Sequence, residues 1–178
     1  MRIALDAMTN ELSVEEAVHG LFVALAVLPE LTLLAVGQSA VLRPLLDKGP
    51  LALRARVELV DAAEVIGMDE DPGAGFKSKK DASVSVAARL VKEGKADGAL
   101  SPGNTGASVI AATLILGRLP SVRRPAILTP MPTGNGYCGM LDAGGVVDCR
   151  AEDLVQWAIM GSVYMEHVLH VKAPRVGL

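Results

Sequence analysis

Residues 97–117, DGALSPGNTGASVIAATLILG, constrain the fold of this chain more than any other stretch. The apolar run Gly98-Ala99-Leu100 is too short for anything but a buried strand end, and Ser101-Pro102-Gly103 stops it abruptly. Asn104 or Thr105 then caps a helix that starts at once. A strand that delivers its carboxyl end into such a turn aims free backbone N–H groups, and the positive end of a helix dipole, at one spot. That spot suits an anion, above all phosphate. Gly103 and Gly106 have a second reading, in which they only permit a tight turn and close helix packing. On the residues alone both readings stay open.

The rest of the chain repeats the same alternation. Residues 2–7 read as a strand ending at Asp6, and Ser13 with Glu16 has the spacing of a capping box for a helix running to about residue 28. Residues 31–36 form a second strand and 38–47 a short helix with Val41, Leu42, Leu45 and Leu46 on one face. A third strand covers 57–60. Residues 64–80 show no sustained periodicity, which predicts a long, mobile, substrate-covering connection or a short helix inside one. A helix over 82–93 ends at Gly94. After the organising unit come strands at 126–129 and 139–142, a long helix over 152–169, and a further strand opening at 176–178. A strand with nothing behind it suggests a fragment.

Alternation of this kind predicts an α/β fold, a doubly wound, mostly parallel sheet with helices on both faces. Ligands of such sheets bind beyond the carboxyl ends of the strands. Asp6, Ser101, the 129–133 loop and Asp142 all fall at predicted strand ends, so they are expected on one rim. Nothing in the chain is read as fitting the dinucleotide fingerprint G-x-G-x-x-G, and no P-loop or G-x-S-x-G elbow is read either.

About half of the 178 residues are apolar and the net charge is −3, which suits a soluble globular core and argues against nucleic acid as a partner. No apolar run approaches the roughly 18 to 20 residues that span a bilayer. No leader is visible at the amino terminus, so the cytoplasm is the expected compartment. Cys138 and Cys149 match no metal spacing and are expected to be reduced, and no metal site is expected. His19, His167 and His170 read as structural, the last two easing a helix C-terminus.

The segments MRIALDAM, EVIGMDEDP, KKDAS, LVKEGKADGALSPGNTGA, GRLP with RRPAI, and LDAGGVVDC before LVQWAIMGSVY together resemble the phosphate acyltransferase family of bacterial phospholipid synthesis. The resemblance covers nearly all of the chain but about the amino-terminal half of a family member, so 1–178 is expected to be the amino-terminal portion of a single acyltransferase domain. It implies a fold similar to phosphotransacetylase and isopropylmalate dehydrogenase. It also implies acyl transfer from acyl-acyl carrier protein to inorganic phosphate, a homodimer, peripheral attachment to the inner face of the membrane, and no cofactor. A truncated or divergent non-catalytic relative that binds an acidic ligand is the alternative. A phosphotransacetylase- or dehydrogenase-like enzyme of the same fold is a weaker one.

Phosphate as nucleophile needs no activated serine or cysteine; it needs positioning and charge. Catalytic candidates are Lys79, Lys80, Asn104 and Asp142, and substrate-binding candidates are Asp6, Lys77, Asp81, Ser101, Gly103, Thr105 and Gly106. The chain departs from the family at Thr9-Asn10-Glu11, where Gly-Gly-Asp is usual. It departs again at Ala82 for a serine, at Pro102 for a small residue, and at Gly145-Val146-Val147 for Gly-Ala-Asn. Thr9 is β-branched and would be strained if that backbone needed positive φ.

Overall fold

Successive side chains of a strand point to opposite faces, and the first two strands use both faces for burial. Strand β1 (Arg2–Asp6) and strand β2 (Thr32–Gly37) pair in parallel, with Ala4 opposite Leu34 and Leu5 opposite Ala35. Leu5, Leu33 and Ala35, with Ala7 just past β1, meet Val18, Leu21, Phe22 and Leu25 of helix α1 (Val14–Val27) and Leu42 and Leu46 of α2 (Ser39–Leu46). Ala4, Leu34 and Val36 face the other way, onto Ala87 and Leu90. Each large buried side chain contributes about 1.5–3 kcal/mol, so a register slip of one residue would forfeit both layers at once.

Strand β3 (Val57–Asp61) and strand β4 (Gly98–Leu100) complete a four-stranded parallel sheet in the order β3-β2-β1-β4. A short helix, α3 (Leu51–Arg54), which the sequence reading did not anticipate, precedes β3. Helix α4 (Pro72–Ser78) lies inside the long 64–80 connection, and α5 (Ser83–Lys92) covers the second face. Helix α6 (Thr105–Ala111) follows β4 and continues without a break as a π-helical turn, Ala112–Leu116, closed by Gly117 at φ 91°. The expected α/β layer with helices on both faces is therefore present. Leu100 is a correction: β4 pairs with β1 alone, and Leu100 is 56% exposed rather than buried.

The structure is a computed structural model and describes residues 1–9, 11, 13–134, 136–144 and 148–178. Asn10 and the 145–147 departure lie outside the described residues. The chain forms two compact units, Met1–Gly117 and Arg118–Leu178. In the second, β5 (Thr129–Thr133) and β6 (Gly136–Met140) make an antiparallel pair rather than the two further strands expected at 126–129 and 139–142. Helix α7 (Ala151–His167) buries Asp153, Trp157, Gly161 and Met165, four residues at a strict spacing of four, and leaves Val155, Ile159 and Val163 exposed. Glycine lets that helix approach: a Cβ on Gly161 would meet Leu141 Cδ1 at 2.7 Å. Residues 176–178 form no strand.

Candidate functional site

The sheet order reverses direction between β1 and β4, and in open α/β sheets the crevice at such a switch point takes the ligand. Asp6 and Ser101 meet there. Ser101 Oγ donates to Asp6 Oδ2 at 2.8 Å and accepts from Gly103 N–H at 3.3 Å, while Met8 N–H donates to Asp6 Oδ1 at 3.2 Å. Asp6 is fully buried, so its carboxylate orients the Ser101 hydroxyl from beneath the rim.

Asn104 caps α6, its Oδ1 accepting from Ala107 N–H at 3.0 Å. Its Nδ2 faces the other way, donating to the carbonyls of Gly67 (3.0 Å), Met68 (3.3 Å) and Glu70 (3.0 Å). Two more side chains hold the same run of backbone. Thr9 Oγ1 donates to Ile66 O at 3.2 Å, and Lys79 Nζ donates to Val65 O at 2.7 Å. Irregular backbone must find its hydrogen bonds outside a ladder, and here three side chains supply them for five carbonyls. The 64–80 segment is thus a loop pinned to the start of α6, followed by a helix that Asp71 caps through Ala74 N–H at 2.7 Å.

Close packing accounts for both glycines of the turn. A Cβ on Gly103 would lie 2.7 Å from Thr9 O, and one on Gly106 would lie 2.6 Å from Pro72 Cγ. Neither glycine has a positive φ, nor does Thr9, so the strain expected for Thr9 is absent. The backbone N–H groups of Thr105 and Gly106 have no acceptor among the described residues. Asn104 is neutral, so the cap leaves the helix dipole uncompensated.

The lysine cluster is divided. Lys79 is half-buried and ion-paired with Glu70, Nζ to Oε2 at 2.6 Å, and the same carboxylate oxygen accepts from Gly67 N–H at 3.1 Å. The hydrogen bond from Lys79, and then that from Gly67, hold the Glu70 carboxyl below its ordinary pKa. Lys80 is exposed, its ammonium 5.6 Å from the Phe76 ring centroid, and Lys77 is exposed. Asp81 accepts from Arg89 Nη2 at 3.1 Å. Asp142 belongs to the second unit, where its Oδ1 accepts from Ile127 N–H at 2.9 Å. The sequence reading missed Glu70 and the inward role of Thr9; the acidic run 69–71, nine residues before Lys79, was the available signal.

The absence of a dinucleotide fingerprint needs a correction, since Gly134-Asn135-Gly136-Tyr137-Cys138-Gly139 in the second unit spells G-x-G-x-x-G. Gly136–Met140 is a strand of the β5–β6 pair, so no helix begins there to hold a pyrophosphate. Among the described residues no group of three acidic, histidine or cysteine side chains is placed to hold a metal ion, and no helix is long and apolar enough to cross a membrane.

A parallel sheet with a polar strand–turn–helix at its switch point defines the first unit as an α/β layer of the open-sheet class. The chain belongs to the fatty acid synthesis protein family, whose model matches residues 1–178. It is similar to the phosphate acyltransferase of Pseudomonas putida, 43% identical over 176 residues, which is 99% of this chain and 52% of that protein. The phosphate acyltransferase of Heliobacterium modesticaldum is 44% identical over 178 residues, covering 100% of this chain and 53% of the relative. That of Halothermothrix orenii is 43% identical over the same length. The chain spans about half the length of the curated relatives it matches.

Proposed function

We propose that both units belong to one acyltransferase domain that transfers an acyl group from acyl-acyl carrier protein to inorganic phosphate. A phosphate oxygen attacks the thioester carbonyl, the C–S bond breaks, and the proton of hydrogen phosphate leaves with the carrier thiol, giving acyl phosphate. The observation that carries this reading is the β4–α6 turn at the switch point, with the Thr105 and Gly106 N–H groups open beside a neutral cap. Such donors hold a dianion and stabilise charge without reorganising. The names of the relatives support the acyl-transfer class. In this reading no cofactor takes part, the working form is a homodimer, and the protein attaches peripherally to the inner face of the membrane.

Thr105→Pro is the sharp test. Proline is accepted at the first position of a helix and deletes one N–H, and the extended Asn104 backbone (φ −61°, ψ 109°) suits a following proline. Inorganic phosphate should raise the melting temperature of the wild-type chain and protect the variant less, with the ligand-free melting temperatures nearly equal. Equal protection of both would place the anion elsewhere. The non-catalytic reading has its own support, since the Lys79 charge is already met by Glu70. Phosphate protection without hydroxylamine-trappable acyl phosphate, on adding acyl-acyl carrier protein, would favour it.

A further inference from the structure

Glu70 stands where an anionic ligand would stand. One oxygen of its carboxylate takes a charged donor, Lys79 Nζ at 2.6 Å, and a backbone donor, Gly67 N–H at 3.1 Å. An ammonium and a main-chain N–H meeting on one oxygen is how proteins hold phosphate and carboxylate ligands alike. The surroundings of the carboxylate are closely packed on one side. Gly75 is buried and has no room for a side chain, since a Cβ there would lie 2.9 Å from Ile66 Cγ2 and 3.1 Å from Glu70 Oε1. The backbone on either side of the carboxylate is fixed to the start of α6 by Asn104, whose amide bonds the carbonyls of Gly67, Met68 and Glu70 itself. Glu70 therefore lies beside the helix whose Thr105 and Gly106 N–H groups are open.

We propose that Glu70 is a placeholder for the phosphate group, a positioning residue that keeps Lys79 and Gly67 N–H aligned until phosphate displaces its carboxylate from them. The inference rests on the phosphate-binding reading given above and adds to it the residue that phosphate must replace. Exchanging one anion for another on the same two donors leaves neither donor unpaired, so the switch avoids stranding a half-buried ammonium and N–H without an acceptor. Lys79 keeps its hold on Val65 O throughout, and so it stays in place when Glu70 swings out. The exchange also gives Lys79 a task that its pairing in the ligand-free chain would otherwise deny it.

The test titrates inorganic phosphate into the full chain, following binding by calorimetry and the amide resonances of Gly67, Thr105 and Gly106 by NMR. In wild type the Gly67 amide should shift saturably together with those of Thr105 and Gly106. Glu70→Gln keeps the shape and removes the competing charge, so it should tighten phosphate binding by about tenfold while lowering the ligand-free melting temperature. A purely structural ion pair would give the second effect without the first. Adding Lys79→Met to Glu70→Gln should cancel the gain. Shifts at Thr105 and Gly106 with none at Gly67, or equal affinity in wild type and Glu70→Gln, would overturn the placeholder while leaving the phosphate site standing. If phosphate moves none of the three amides, the phosphate reading itself fails. The wild-type resonances decide the matter even if the variant does not fold.

Discussion

Two helices of this chain begin in opposite electrostatic states. At the start of α7, Asp153 is buried, accepts from Arg150 N–H at 3.0 Å and pairs with Arg123 at 2.5 Å. That helix end is closed by an internal anion whose own charge is met by a guanidinium. At the start of α6 the cap is Asn104, which carries no charge and spends its amide on the neighbouring loop. The dipole there meets no charge from its own cap. Capping stabilises both helices; the choice between carboxylate and carboxamide decides which one keeps an unmatched dipole.

The largest effect is expected where the open end is most tightly built. Gly103→Val puts a Cβ within 2.7 Å of the Thr9 carbonyl oxygen, a backbone atom that cannot swing aside, and should destabilise the first unit by about 3 kcal/mol. Denaturant unfolding would measure it. An unchanged midpoint would mean that the turn is not packed as described.

Next comes the closed end. The hydrogen bond from Arg123, and then that from Arg150 N–H, hold the Asp153 carboxyl below its ordinary value of 3.8. A depressed carboxyl stabilises the fold fully above the unfolded-state value and loses that contribution as pH falls through the lower folded-state value. Asp153→Asn should therefore melt several degrees lower at neutral pH. It should also show a shallower loss of stability on acidification than wild type. Parallel acid titrations of the two proteins would count against the pairing.

The smallest effect on stability, and the most pointed contrast, belongs to Asn104→Asp. The new carboxylate can still accept from Ala107 N–H, so the cap survives, whereas the three bonds to loop carbonyls are lost and a negative charge now sits at the open end. A net loss of about 1 kcal/mol is expected, the lost bonds being partly offset by a carboxylate at the helix N-terminus, together with the disappearance of phosphate protection. Retained protection would show that the open dipole is not what the anion feels.

Much of the sheet was legible because its residues obey a single rule. Period-two placement of Ala4 and Leu5, and of Leu33, Leu34, Ala35 and Val36, marks strands buried on both faces, and the Ser13 and Asn104 caps are local signals that the fold honours. The β5–β6 pair was obscured by Pro130 and Pro132, which deny an interior strand but are admitted in a two-stranded ribbon. Asn135-Gly136 was the overlooked hairpin signal in the sequence. Helix α4 was offered as one of two alternatives, and the Asp71-Pro72 pair, a cap followed by an N1 proline, could have chosen it. At the site, the turn and its cap were readable because they are contiguous. The bonds from Thr9, Asn104 and Lys79 to carbonyls 65–70 join residues 14 to 57 apart in sequence, and no local pattern encodes such partners.

The π-turn that ends α6 sets the phase of the helix from Ala112 to Leu116. An α-helix advances about 100° per residue, so from Ala107 the buried direction would recur at Ala111 and then at Leu114. In the protein Leu114 is 65% exposed, and it is Ile115 that packs with Ala107 and Ala111 against the α5 side. Five residues wound at the wider pitch delay the rotation by nearly one position, as an insertion absorbed into a helix would. The same residues wound as ordinary α-helix would bring Leu114 where Ile115 now sits, and a chain shorter by one residue between Ala111 and Ile115 would keep the isoleucine there without the wide turn, so the spacing of 112–116 carries information that residue identity alone does not.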